Sequence, residues 1–216
     1  MTRQHDITPF THENEARLSE QAMGDARHGI VRLDQRFWDE LYGSAGRLWS
    51  GRPNDALVAE VTGIPPGRAL DVGCGEGGDA HWLARQGWQV TGIDISRIAL
   101  ERAAALAGDL DITWRRLDLR TEAPDTGYDL VSAHYFAFPR DQEQVLQRVL
   151  AAVAPGGSLL ITSHAGMEER HQGLYRPEEI AARLGEDWRI VVDEQRTRTL
   201  PANGHTEDVV LRARRR

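Results

Sequence analysis

Between Arg68 and Ser96 the chain reads RALDVGCGEGGDAHWLARQGWQVTGIDIS, and this stretch concentrates the residues whose types and spacing suit a bound nucleoside. Gly73, Gly75, Gly77 and Gly78 interrupt an apolar run. Their backbone can turn tightly and approach a ligand that a Cβ would hold off. Asp71 precedes this loop, Glu76 lies inside it and Asp79 follows it. Asp94 ends the next apolar run, where a carboxylate can hold the two hydroxyls of a ribose. Gly73, Gly75 and Gly78 also satisfy the G-x-G-x-x-G spacing of dinucleotide sites, with an acid roughly 20 residues on. Charge separates the two readings. A pyrophosphate seeks free amides at a helix N-terminus, and three carboxylates around one loop repel it. They tolerate a ligand with an amino group and a sulfonium cation, and S-adenosylmethionine is such a ligand.

Candidates for reactive side chains lie further on. His134 follows an apolar run, and an imidazole titrating near neutrality can take a proton from a hydroxyl or amine. The same ring can instead order the cofactor or pack against Phe136 and Phe138. Tyr135, beside it, is a second donor. His164 follows the next strand, at the carboxyl edge of a parallel sheet where ligands bind. Cys74 sits near a helix N-terminus, which lowers a thiol pKa, but the surrounding acids act oppositely and no base partner is evident. Catalysis by Cys74 is not expected.

The elements that must position these groups follow from periodicity. Ala69 to Val72, Val90 to Ile95, Ile112 to Leu117, Tyr128 to Tyr135 and Ser158 to Ser163 are short apolar runs suited to buried parallel strands. Helices are expected over Asp79 to Gln86, closed by Gly87, over Ser96 to Ala107, and over Asp141 to Ala154, closed by Pro155-Gly156-Gly157. Pro177 opens a short helix to Leu184. Trp188 to Thr197 and Asp208 to Ala213 read as strands joined through Pro201-Ala202-Asn203-Gly204, with His205 in the turn. Such alternation gives an α/β fold. Upstream, Phe37 to Tyr42 is helical, Gly43 to Gly51 is a loop, and Asn54 is placed to cap a helix over Asp55 to Val61. Trp49 suits a lid that excludes water, or it covers the sheet edge with Trp38 and Tyr42. Met1 to Asp34 is a polar extension with weak helical segments, a possible lid whose His5, His12 and His28 read as solvated surface. Residues 35–216 form the main domain. Met167 to Arg176, with His171, is a second polar loop of lid type.

Composition narrows the function classes. At 216 residues, with 40% hydrophobic and 27% charged content, one soluble α/β domain is expected. The net charge of −7 offers no broad basic face for nucleic acid; the one basic run is Arg212 to Arg216. All 26 basic residues are arginine, which excludes lysine bases and Schiff-base chemistry. A single cysteine excludes an intramolecular disulfide and a cysteine-based zinc site. No apolar run is long enough to span a membrane, and no signal peptide is evident, so a cytoplasmic protein is expected. No metal-ligand spacing is present.

Leu70-Asp71-Val72-Gly73-Cys74-Gly75-Glu76-Gly77 resembles the first motif of class I SAM-dependent methyltransferases, and Ile93-Asp94-Ile95-Ser96 resembles their second, ribose-binding motif. The resemblance runs from about Phe37 to the C-terminus and is nearest the small bacterial enzymes of the tellurite-resistance and thiopurine type. It implies a Rossmann-like fold: a mostly parallel seven-stranded sheet, a C-terminal antiparallel hairpin, and helices on both faces. It implies S-adenosylmethionine held by Asp71, Gly73, Cys74, Gly75, Gly77, Asp94 and Ile95, adenine near Asp118 and Leu119, and Trp49 near the methionine end with Arg52 beside the substrate. Residues 128–135 correspond to the fourth motif, whose tip faces the methyl group and the acceptor. The tip lacks the Asn/Asp-Pro-Pro-Tyr of amide- and adenine-directed enzymes and the Pro-Cys of cytosine-carbon enzymes. A small diffusible acceptor follows, attacked in line by oxygen, nitrogen or sulfur, with His134 and Tyr135 as catalytic candidates and Arg52 and His164 as substrate contacts. Two alternatives stay open: a methyltransferase-like protein that binds the cofactor without turnover, and an NAD-dependent oxidoreductase.

Overall fold

The computed structural model describes residues 34–44, 46–166, 173–202 and 205–216. The expectations for residues 1–33 and for His171 lie outside these residues, as does most of the second polar loop. Among the described residues the elements in order are α1 (Gln35–Gly43), α2 (Asp55–Val61), β1 (Arg68–Val72), α3 (Gly78–Arg85), β2 (Gln89–Asp94), α4 (Arg97–Ala107), β3 (Ile112–Arg116), β4 (Tyr128–His134), α5 (Glu143–Ala152), β5 (Val153–His164), α6 (Pro177–Ala181), β6 (Trp188–Ala202) and β7 (His205–Arg215). Among the described residues the seven strands form one sheet in the order β3-β2-β1-β4-β5-β7-β6. The first five are parallel, and β7 runs antiparallel to both β5 and β6. This is the mixed Rossmann-like sheet with its C-terminal antiparallel hairpin.

Alternation along the strands feeds two cores. Leu70, Val72, Val131, Ala133, Leu159 and Ile161 pack with Val145, Leu146 and Val149 of α5. Ala69, Val90, Leu130, Leu160 and Val210 pack with Ala56 and Leu57 of α2 and Ala80 and Leu83 of α3. Helices therefore cover both faces, as a parallel sheet requires. The strand order reverses between β1 and β4, so the connections leaving their carboxyl ends diverge and open a crevice there.

Three local expectations are corrected. Asn54 does precede α2, but its side chain makes no capping bond; its Nδ2 donates to Asp79 instead, at 2.6 Å. Pro155-Gly156-Gly157 does not separate α5 from β5, because the strand already begins at Val153, paired with Tyr128, and shifts register beyond it. A Cβ on Gly157 would stand 2.7 Å from the Tyr128 carbonyl oxygen, so the strand passes there only as glycine. The terminal hairpin is also longer than its apolar pattern, since Ala202 and His205 still pair across the turn. Ser96 caps α4 as expected, its hydroxyl accepting from the Ala99 amide at 3.2 Å.

Candidate functional site

The loop leaving β1 explains its glycines. Gly75 has φ +52°, and a Cβ there would stand 2.8 Å from the Tyr42 hydroxyl. Gly73 has φ +66°, and its Cβ would enter the Phe136 ring at 2.7 Å. Both the backbone conformation and the close approach exclude a side chain. Gly77 precedes α3 directly. Asp94 is buried at the end of β2; its carboxylate accepts from the Gly75 amide at 2.9 Å and the Ser96 amide at 2.8 Å. Burial pushes the Asp94 carboxyl up despite these bonds. Ile95 follows, half-buried. Cys74 is buried beneath the loop, and burial, with Asp94 and Asp71 adding to it, holds the thiol well above its ordinary range. A thiol held so high is a poor nucleophile.

The three acids of the loop do not all face a ligand, which corrects the charge argument. Glu76 accepts from the Leu48 amide at 3.1 Å, the Trp49 amide at 2.9 Å and Arg102 at 3.0 Å. Asp79 accepts from the Asn54 amide at 2.7 Å and from its side chain. These two carboxylates moor residues 48–54 across the glycine loop. Asp71 alone keeps a buried carboxylate oxygen, Oδ2, without a hydrogen bond. Its Oδ1 takes a 3.5 Å contact from the Ser132 hydroxyl. Burial, reinforced by Asp79 and Asp94, pushes Asp71 well above the usual carboxylate range. Such a group takes a proton or a cationic partner.

The moored segment places Trp49 over the loop. Its indole N–H donates to the Tyr42 hydroxyl at 3.1 Å, and its ring lies 3.7 Å from the Cβ position of Gly75. The tryptophan keeps 39% of its surface exposed, so it both covers Tyr42 and borders the crevice. Arg52 keeps an exposed side chain, while its backbone carbonyl packs against Gly78. On the far side, Asp118 follows β3 and is held by Arg120, with contacts of 2.7 to 3.1 Å. That hydrogen bonding keeps the Asp118 carboxyl low despite partial burial. Leu119 is buried beside it. Asp118 and Arg120 border an open cavity of about 680 Å³ that Asp34, Asp39 and Ile98 of the α1–α4 side also line.

Across the crevice the period of two brings a row of polar groups onto one sheet face. Leu130, Ser132 and His134 of β4 point to the α2/α3 side, since Leu130 belongs to that core. His134 pairs with Thr162 of β5, Thr162 with Val210 of β7, and His164 with Asp208. Both ring nitrogens of His134, the Thr162 hydroxyl, Asp71 Oδ2 and Asp208 Oδ1 are buried without hydrogen bonds. Buried polar atoms normally find partners, and these orphans stand together at the carboxyl edge of the sheet. Burial pushes His134 below its ordinary pKa, against the pull of Asp79 and Asp208. The ring is therefore neutral near pH 7.

Tyr135 is the one non-glycine residue of positive φ among the described residues, at +55°, a conformation that stores strain. Its hydroxyl donates to Asp208 at 2.9 Å, and its ring stacks on His164 at a centroid distance of 4.3 Å. Burial, then the charge of Asp208, pushes the phenol well up. Asp208 stays ionised: burial opposes this, but the nearby His164, the Tyr135 hydrogen bond and the charge of Arg198 prevail. Thr162, Asp208 and Arg198 were missed from sequence, because only strand register brings them to the β4 tip.

Residues 69–157 match the family of methyltransferase domains. The likeness to methyltransferase domains thus lies on residues 69–157, within the Rossmann-like sheet. An uncharacterized methyltransferase of Mycobacterium tuberculosis is 35% identical over 111 residues, which are 50% of this chain and 56% of that protein. The chain thus spans little more than half the length of such curated relatives. Among solved structures, one from work on conversion of a disulfide bond into a thioacetal group during echinomycin biosynthesis superposes with a TM-score of 0.68 at 24% identity, over 84% of this chain and 92% of that one. The N-methyltransferase NodS from Bradyrhizobium japonicum, complexed with S-adenosylhomocysteine, gives 0.61 at 19%, over 94% and 98%. Among the described residues no helix is long and apolar enough to cross a membrane.

Proposed function

We infer that the chain transfers a methyl group from S-adenosylmethionine to a small-molecule acceptor. The observation that supports this best is the row of orphaned buried polar atoms beside the glycine loop, Asp71 Oδ2, both His134 nitrogens and Thr162 Oγ1. The residues fit the cofactor. Asp71 offers a buried acceptor to its ammonium, Asp94 lies where a ribose would bind, and the glycine backbone permits close approach. When bound, the cofactor supplies an electrophilic methyl group on a sulfonium that leaves readily.

The protein's part is positioning. Trp49 and the moored 48–54 segment keep water from the crevice. Asp118 and Leu119 border the adenine, although Asp118 must share its carboxylate with Arg120. His134, neutral through burial, accepts the proton of a hydroxyl, amine or thiol acceptor as it attacks in line. Tyr135 orients the acceptor from the adjoining position. The likeness of the motifs to tellurite-resistance and thiopurine-type enzymes supports a small, diffusible nucleophile. Arg52, exposed on the moored segment, contacts the acceptor from the lid side.

Calorimetry with S-adenosylhomocysteine and NAD, followed by incubation with labelled SAM and a metabolite panel, tests the reading. Binding of S-adenosylhomocysteine and its release during turnover are expected. Heat with NAD alone would make the chain a dinucleotide protein, and binding without turnover of any acceptor would make it a sensor. His134→Asn is expected to lower turnover at least about tenfold while leaving cofactor affinity nearly unchanged. Equal loss in both would make His134 a cofactor contact.

A further inference from the structure

At the carboxyl edge, beyond the cofactor crevice, four side chains from four strands or their ends converge: Tyr135 after β4, His164 ending β5, Arg198 on β6 and Asp208 on β7. The topology requires this, because β6 runs parallel to β5 and so brings residue 198 to the same edge. The Arg198 side chain is only 15% exposed, yet its guanidinium is poorly matched. Its approach to Asp208 Oδ1 is 3.5 Å, and its contact with His164 Nδ1 is also 3.5 Å. A closed charge-assisted pair lies near 2.7–2.9 Å, and this molecule makes such pairs elsewhere, at 2.7 Å for Arg120 with Asp118. The remaining contact of Arg198 is with the Tyr135 ring, 5.5 Å from its centroid. The other oxygen of Asp208 takes the Tyr135 hydroxyl. A largely buried guanidinium has five donors, and among the described residues the partners of this one leave most of them unused.

The geometry points to Arg198 as the anchor for a carboxylate on the methyl acceptor. This rests on the methyltransferase reading and adds to it the charge class of the substrate. Planar, bidentate recognition of a carboxylate is what a guanidinium fork does best. Arg198 stands on the sheet face that also carries His134, since Arg196 pairs with Asp208 and residue 198 follows it by two. The stacked Tyr135 and His164 rings provide a flat wall between anchor and methyl group. Asp208 then has a stated task. It holds Tyr135 in its strained conformation and keeps the guanidinium in place without occupying it.

The test uses the full chain saturated with S-adenosylhomocysteine and three probe pairs that differ only in charge: benzoate and benzamide, 4-hydroxybenzoate and 4-hydroxybenzamide, succinate and succinamide. Binding is followed by ligand-observed NMR. In at least one pair the carboxylate is expected to bind about tenfold more tightly than the amide. Arg198→Gln should abolish that preference, and Arg198→Lys should keep part of it. S-adenosylhomocysteine affinity within twofold of wild type certifies that each variant is folded. Equal binding within all pairs, binding of no carboxylate, or a preference that survives Arg198→Gln overturns the inference, and the wild-type comparison alone can do so if a variant fails to fold. Failure of S-adenosylhomocysteine to bind wild type would instead overturn the methyltransferase reading beneath it.

Discussion

Asp94 acts in two directions at once. Its carboxylate stands at the end of β2, where a ribose is expected, and it also accepts from the amides of Gly75 and Ser96, tying the glycine loop to the start of α4. Asp94→Ala is therefore expected to weaken S-adenosylhomocysteine binding at least about tenfold and to destabilise the free protein by about 1–3 kcal/mol, since two amides lose a charged acceptor. Calorimetry and urea unfolding check the two effects separately; unchanged binding would remove the ribose assignment. His134 gives a pH signature. Its folded pKa lies below the ordinary 6.5, so below pH 6.5 the unfolded chain binds the proton more readily than the folded one. Stability should fall as pH drops from 6.5 toward the folded value. His134→Asn should not share that component of the fall. Urea unfolding at pH 7.5, 6.5 and 5.5 measures it, and parallel curves for the two proteins would mean that the ring is not buried neutral. Both residues were legible in sequence, because each ends a strand whose apolar run announces it. Asp208, Thr162 and Arg198 were not, since they gain meaning only from the register of strands distant in sequence from β4.

The mooring of residues 48–54 is a property of elements rather than of one side chain. Glu76 reaches from the loop before α3 to two successive amides, and Asp79 in the first turn of α3 takes the next attachment at Asn54. Sequence reading found the loop, both acids and Trp49, yet assigned the acids to the ligand. Nothing in a run of residues tells a carboxylate that repels phosphate from one that accepts backbone amides 27 residues upstream. The same limit applies at Asn54, where helix-start chemistry competed with a closer carboxylate and lost. Glu76→Gln replaces a charged double acceptor, itself 2% exposed, by an amide that presents a donor to donors. Amide hydrogen exchange at Leu48 and Trp49 is expected to accelerate about tenfold or more, since local opening no longer breaks charged bonds. Stability should fall by about 1–3 kcal/mol. Exchange unchanged at both amides would show that the segment is held by its aromatic contacts instead.

At the scale of the whole molecule, the crevice joins the two halves of the doubly wound sheet. The glycine loop and Asp94 belong to the β3-β2-β1 half, whereas His134 and Thr162 belong to β4 and β5 on the other side of the reversal. This part of the fold was the most legible, because alternating strand and helix runs with a glycine turn after β1 leave few arrangements. A ligand that touches both halves binds only the folded sheet, so its free energy adds to stability by linkage. At a hundredfold excess over its dissociation constant, S-adenosylhomocysteine should contribute about 2.7 kcal/mol. For a chain of this size each kcal/mol raises Tm by roughly 2–4 °C, which gives an upward shift of about 5–10 °C. NAD at the same concentration should leave Tm unmoved. Asp94→Ala should lose about half of the shift or more at fixed ligand, because its weaker affinity lowers the saturation ratio within the logarithm. A shift of equal size in wild type and variant would mean that the ligand binds somewhere other than the crevice between β1 and β4.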